Sequence, residues 1–272
     1  SFYVGGDKAV KTSHAGFHWD AAAFAQAAEM AAGRLEALAR PPVTVKPGDY
    51  RAYLTPAALN EIMSMMSWGG FGLGAHKTRA TIFLKMIEGG AQLNERVTIR
   101  EATAEGAAPA FQREGFLKPA AVTLIDKGAY RDCLVSPRSA AEYAVPTNGA
   151  SGAETPASRD MAAGELPEAD VLKAIGTGIY VSNLWYLNFS DRSAGRLTGM
   201  TRFATFWVEN GELAAPLNVM RFDDTIFRML GSNLEALTAE RSLMLDPGTY
   251  DGRNLDSVRL PGALLSAMRF TL

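Results

Sequence analysis

Three histidines and one cysteine are the residues of this chain best suited to bind a metal or attack a carbonyl: His14, His18, His76 and Cys133. Zinc sites draw on His, Cys and carboxylates, and catalytic ones often take two His from adjacent turns of one helix. His14 and His18 have that spacing. Gly16 lies between them, however, the next helix is expected to start only at Asp20, and no Glu follows His14 to act as a base. Both therefore read as histidines of a loop or strand. Cys133 falls within residues 130–135, an expected strand, where a free Cys is more often a small buried hydrophobe than a nucleophile. There is no Gly-x-Ser-x-Gly elbow, and the glycines of residues 69–74 lack the Gly-Lys-Ser/Thr that completes a phosphate-binding loop. The adjacent acids Asp223 and Asp224 read as caps at a strand-to-helix step rather than as a catalytic pair. No residue set here performs zinc-dependent hydrolysis unaided.

The other suggestive concentration is aromatic. Tyr180, Trp185, Tyr186 and Phe189 precede a polar, Gly-containing stretch with Asn188, Asp191, Arg192 and Arg196, and Phe203, Phe206 and Trp207 follow it. Strand alternation sends some of these rings to the core and some to the opposite face. The polar loop between them is then suited to bind a peptide or a partner chain.

The elements that would position these groups are partly legible. Asp20 is an N-cap in front of an Ala-rich helix over residues 21–39, stopped by Pro41 and Pro42. A strand over residues 50–54 leads to Thr55 and Pro56, the N-cap and first residue of a helix to about Trp68. A further helix is expected over 77–87. Strands are expected over 97–99, 121–124, 179–187, 203–209 and 217–222, where β-branched and aromatic residues concentrate. Residues 146–168, rich in Gly and Pro, read as a long surface loop, and residues 168–175 as a short helix ending at Gly176. Asn210-Gly211 marks a type I′ hairpin turn. A last helix is expected over 224–230 and a strand over 260–272.

Composition limits the function classes. The chain has 272 residues, 47% of them apolar, and a net charge of -2. That is enough to build a core, and it leaves no electrostatic footprint for nucleic acid. No apolar run reaches the roughly 18 residues that span a bilayer. One cysteine excludes an internal disulfide framework and fits a reducing, cytoplasmic setting. The opening Ser1-Phe2-Tyr3-Val4 reads as the middle of a strand, so the chain is expected to be the C-terminal portion of a longer polypeptide.

Three segments, taken in order, resemble the C-terminal signature of the TldD/PmbA family. They are Gly178-Ile179-Tyr180-Val181-Ser182-Asn183-Leu184, the loop Ser193 to Gly199, and Phe206-Trp207-Val208-Glu209-Asn210-Gly211-Glu212. The last is the most specific, against the family's G-F-W-I-E-N-G-E. Gly48 to Pro56 resembles the strand entering the C-terminal domain, Arg113-Glu114-Gly115 stands at the family's D-D-E-G, and Thr147-Asn148-Gly149 at its T-G-N. Arg113 replaces an acid of that pattern, and Ala204-Thr205 replaces the Gly before the Phe-Trp pair. The resemblance covers about residues 45–272.

The later strands lack regular intervening helices, so an α+β fold is expected, a mostly antiparallel, curved, barrel-like sheet with flanking helices. The resemblance assigns this to a C-terminal domain over 45–272, preceded over 1–44 by the end of an upstream α/β region. It further implies a peptide-processing metallopeptidase assembly of two subunit types. One carries H-E-x-x-x-H on the helix after the entering strand and a Cys nearer the C-terminus, both as zinc ligands; the other, TldE/PmbA-like, lacks them. Here that helix has no His, and no Cys follows Cys133. The chain is thus expected to be the metal-free type, with no catalytic or metal residues and zinc only in a partner. Its expected partners are a TldD-like subunit or a second copy of itself, with an unfolded peptide as substrate and neither nucleic acid nor membrane. Glu114, Asn148, Arg192 and Arg196 are expected to line the peptide groove. The alternatives are an autonomous hydrolase using the polar loop and His76, or a non-catalytic homo-oligomeric scaffold.

Overall fold

The computed structural model describes residues 1–246, 248–249 and 252–271. Its elements in chain order are β1 (Phe2–Gly5), β2 (Lys8–Val10), α1 (Ala21–Leu38), β3 (Gly48–Leu54), α2 (Pro56–Ser67), α3 (Leu73–Lys77), α4 (Leu84–Ile87), β4 (Ile99–Glu101), β5 (Val122–Asp126) and β6 (Ala129–Tyr130). There follow α5 (Pro137–Tyr143), β7 (Ser158–Met161), α6 (Val171–Ile175), β8 (Gly178–Asp191), β9 (Arg196–Glu209), β10 (Glu212–Pro216), β11 (Arg221–Thr225), β12 (Leu234–Leu245) and β13 (Ser257–Phe270).

Local chemistry sets the helix starts. The Asp20 carboxylate accepts from the Ala23 N–H at 2.9 Å and opens α1. The Thr55 hydroxyl accepts from the Ala58 N–H at 3.2 Å, with Pro56 in the first turn of α2. Both satisfy donors that a helix start leaves free. Asn210 and Gly211, at φ 52° and 79°, make the tight turn between β9 and β10 as a type I′ turn requires.

Among the described residues β1 and β2 pair with each other, and the other strands form one eleven-stranded sheet. The sheet is mixed rather than antiparallel: β3 runs parallel to β8 and β13 parallel to β7, while the remaining pairings are antiparallel. β11 pairs with both β9 and β13, so β9, β8, β3, β13 and β11 close a ring, the barrel-like feature expected. One face packs on α2 through Leu54, Ile62, Met63, Ile179 and Leu265. The other packs under α1 and α6 through Leu38, Tyr53, Tyr180, Phe206 and Leu264.

Several expected elements differ. The helix over 77–87 is broken into α3 and α4: Arg79 sits at φ 60°, and the buried Thr81 hydroxyl donates to Gly70 O and accepts from Phe83 N, which holds a turn. The loop over 146–168 is not all surface, since it contains β7 with Ser158, Asp160 and Met161 buried. The polar residue there hid the strand: Asp160 is buried because it is paired on both sides, with Arg100 at 2.9 Å and Arg241 at 2.7 Å. The helix over 224–230 begins as β11 and continues into a wide π-type turn over Arg228–Ser232. The strand over 130–135 ends at Tyr130, and that over 217–222 is displaced to Arg221–Thr225. β12 was not anticipated at all. Of the last expected strand, Leu272 lies outside the described residues.

Candidate functional site

Two polar regions flank α2. The first lies along its side. Glu61 and Ser64, three residues apart and so on one helix face, meet β7, whose Arg159 Nη1 donates to Ser64 Oγ at 2.9 Å. Parallel pairing with Val258 and antiparallel pairing with Glu101 fix Arg159 on its strand. Among the described residues Arg159 makes no ion pair within 4.0 Å. Its Nε is buried without a partner. Burial lowers the pKa of this guanidinium, while Asp256, Asp246, Glu101 and Glu61 act from a distance to raise it. Burial likewise raises the pKa of the Glu61, Glu101 and Asp256 carboxyls. Glu101, 4% exposed, still accepts from the Ser158 N–H at 2.9 Å and faces Lys118 at 3.9 Å. A cluster of groups displaced in this way is what a functional site commonly shows.

The second region is a cleft of 540 Å³ at the N-terminal end of α2. α1 forms one wall through Ala23, Ala27, Ala31 and Arg34, and Lys11 stands at its rim. Thr55 and Ala57 close one end, and Glu168, Tyr180 and Glu240 come from the sheet side. A neighbouring space of 180 Å³ shares Arg34, Glu168 and Tyr180. Tyr180, 5% exposed, packs on Tyr53 with centroids 5.5 Å apart, and the Arg34 guanidinium lies 5.3 Å from its centroid. Burial raises the pKa of both phenols, so they stay protonated.

Each of the residues expected to line one groove has its own local partners. Asn148 straps a loop: its Oδ1 accepts from Val135 N at 2.8 Å and its Nδ2 donates to Cys133 O at 2.8 Å. It also lines a void of 10 Å³ with Glu101 and Lys118. Glu114 is exposed in a turn where its N–H donates to Gln112 Oε1. Arg192, in the β8–β9 turn, stacks 4.0 Å from the Phe189 centroid and 5.8 Å from that of Trp68. Arg196 pairs with Asp223 at 2.9 Å. Asp223 and Asp224 are strand residues rather than helix caps. Asp224 is 1% exposed and accepts from the N–H groups of Thr225 and Arg269. His14 is exposed against Trp19, and His18 is exposed in the same loop. His76 packs edge-on against Tyr130, and burial lowers its pKa. Cys133 is half-buried; desolvation, with Asp132 and Glu154 adding to it, pushes its thiol up to about 11.

Residues 47–272 match the family described as PmbA/TldA metallopeptidase C-terminal domain. The chain belongs to that family. No curated protein matches it in sequence. Among PmbA/TldA-like folds, TldE from Thermococcus kodakarensis superposes with a TM-score of 0.74 at 16% identity, over 91% of this chain and 55% of that one. A Thermotoga maritima protein provisionally named a modulator of a DNA gyrase gives 0.72 at 16%, over 90% and 55%. A Bacteroides thetaiotaomicron protein similarly named a modulator of DNA gyrase gives 0.70 at 17%, over 91% and 51%. The chain spans about half the length of these proteins. At such identities they establish the fold alone. No helix among the described residues is long and apolar enough to cross a membrane.

A metallopeptidase family implies zinc, and the α2 side does not fit it. Among the described residues no group of three or more His, Cys, Asp or Glu is arranged to hold a metal. The helix after the entering strand offers Asn60, Glu61 and Ser64, and the last is already bonded to a guanidinium. A fixed cation at that distance repels a second one. Sequence reasoning missed Glu61, Glu101, Arg159 and Asp256, because they come from four segments. The one local signal was the alternation Ser158-Arg159-Asp160-Met161, a strand pattern inside an apparent loop.

Proposed function

We propose that this chain is the metal-free, TldE/PmbA-like member of a peptide-processing metallopeptidase assembly, supporting a metal-bearing subunit or shaping the channel by which unfolded peptide reaches it. One observation carries the reading: on α2, Ser64 receives the Arg159 guanidinium at 2.9 Å. This is the helix on which the resemblance puts the zinc-binding histidines of the other subunit type. A side there that presents a tethered cation and no imidazole is unsuited to Lewis-acid chemistry, which needs an open metal position.

Zinc content and hydrolysis test this together. The purified chain is expected to hold no stoichiometric zinc and to leave an unfolded, reduced protein substrate intact. Mixed with an H-E-x-x-x-H-bearing subunit from the same source, it is expected to form a complex with chelator-sensitive hydrolysis. Chelator-resistant hydrolysis by the chain alone, or one bound zinc per chain, overturns the reading.

A further inference from the structure

We propose that residues 1–30, comprising the β1–β2 hairpin and α1 from Ala21 to Met30, form a flap that swings on Gly33 to open the cleft between α1 and the sheet. This goes beyond the subunit reading and does not depend on it, since flap and cleft lie within one chain.

Little holds this segment down. Of residues 1–30 only Ala9 and Val10 are buried. Among the described residues no backbone hydrogen bond joins the segment to the eleven-stranded sheet. Its large aromatic side chains do not fasten it either. Phe17 and Trp19 are 68% and 70% exposed, and Trp19 packs on Phe24 of the same segment with centroids 5.2 Å apart. Besides Ala9 and Val10, the fastenings to β9 are charged groups at the surface. Asp7 Oδ1 lies 3.6 Å from Arg202 Nη2, and the Lys11 ammonium lies 4.1 Å from the Phe203 centroid. Exposed contacts of either kind are weak, and a segment with few buried apolar contacts opens more readily than the whole domain unfolds.

Beyond Met30 the attachment changes. Ala31, Ala37 and Leu38 are buried in the second core and Leu35 packs against it, while Arg40 Nη1 donates to Leu213 O at 2.8 Å. Gly33 falls in the first anchored turn, so bending there frees Ala31 with the flap. A Cβ at Gly33 would meet nothing within 4 Å, so no close approach calls for glycine, and glycine weakens a helix interior. The cleft divides along the same line. Ala23, Ala27 and Met30 line it from the flap, while Arg34, Glu168 and Tyr180 stay on the anchored part. Opening therefore removes one wall and leaves a guanidinium, a carboxylate and a phenol in place at the entrance.

The test places single thiols in the full chain carrying Cys133→Ser, as Val10→Cys on the hairpin or Ala31→Cys on the helix, and follows alkylation by iodoacetamide. Both positions are 2% exposed, and both thiols are expected to react faster than global unfolding, measured with urea, allows. Arg202→Gln and Lys11→Gln are each expected to raise both rates about two- to fivefold. Gly33→Ala is expected to lower both about two- to fivefold. Circular dichroism checks that the variants stay folded. Hydrogen exchange of the unaltered chain gives a second reading. Once lifted, so short a helix is marginal in water, so α1 amides before Gly33 are expected to exchange at least about tenfold faster than those after it. An effect of Gly33→Ala on the helix thiol alone means fraying of α1 and overturns the proposal. So do rates no faster than global unfolding, rates unmoved by the three substitutions, or equal protection along α1. The zinc and complex-formation results bear on the subunit reading alone, so the two can fail separately.

Discussion

Replacing Glu154 by Gln tests how the long segment between α5 and β7 is held. Glu154 is 6% exposed and sits at φ 52°, a left-handed conformation that costs a non-glycine residue about 1–2 kcal/mol. The cost is offset by its carboxylate. Oε1 accepts from Ser136 N at 2.9 Å and Ser136 Oγ at 3.0 Å, and Oε2 accepts from Gly74 N at 2.8 Å. One side chain thereby serves the starts of both α3 and α5. The amide of Glu154→Gln can keep only one oxygen. Its best orientation retains Ser136 and turns an NH₂ toward the Gly74 N–H. One charge-assisted bond is lost and two weaken, so the expected destabilisation is about 2–4 kcal/mol.

The pH dependence carries the sign. Burial alone would raise the Glu154 pKa, but bonds from Ser139, Ser136 and Gly74 outweigh it, and the carboxyl lies below its ordinary value of 4.5. A depressed acid contributes stability that is complete above its unfolded pKa and is lost as pH falls through its folded one. Urea midpoints of the native chain and Glu154→Gln are therefore expected to differ by a constant amount from neutral pH down to about 5, then to converge. Equal midpoints at pH 7, or a gap that persists undiminished in acid below the folded pKa, would refute the reasoning.

Two further substitutions or reagents probe other parts. A Cβ at Gly262 would lie 2.0 Å from the Tyr53 hydroxyl, which is walled in by the second core. Gly262→Ala is expected to cost about 1–3 kcal/mol or more as overpacking, read as a lower urea midpoint with an unchanged slope. With its thiol pushed up to about 11, Cys133 is expected to react with iodoacetamide at pH 8 roughly a hundredfold more slowly than an ordinary thiol. The rate should climb tenfold per pH unit; a plateau near pH 9 would contradict the displacement.

How far sequence alone reached follows from where each signal resides. α1 and α2 were legible because caps, Ala and Pro act within a few residues. The β9–β10 turn was legible because Asn210-Gly211 has one favourable geometry. β12 was not, because Leu234-Glu235-Ala236-Leu237 and the residues after it are mostly good helix formers. Only pairing with β13, from Leu234–Leu265 to Leu245–Ser257, makes them a strand. The same holds for the candidate sites. Arg192 and Arg196 were noticed for their polar loop, yet their partners are Phe189, Trp68 and Asp223. The groups around Arg159 and those around the cleft come from segments far apart in the chain, and no local spacing announces them.

β13 also has a bearing on how the molecule comes to exist. It pairs with β3, β7, β11 and β12 at once, and Ala263 lies beside Leu54. The ring of strands cannot shut until a segment roughly two hundred residues downstream of β3 has arrived, and contacts of such separation slow folding. Until then the apolar faces of β3, β8 and β9 stand open. Completion of the ring is therefore the step that covers those faces, and it depends on the last strand of the sheet to be made.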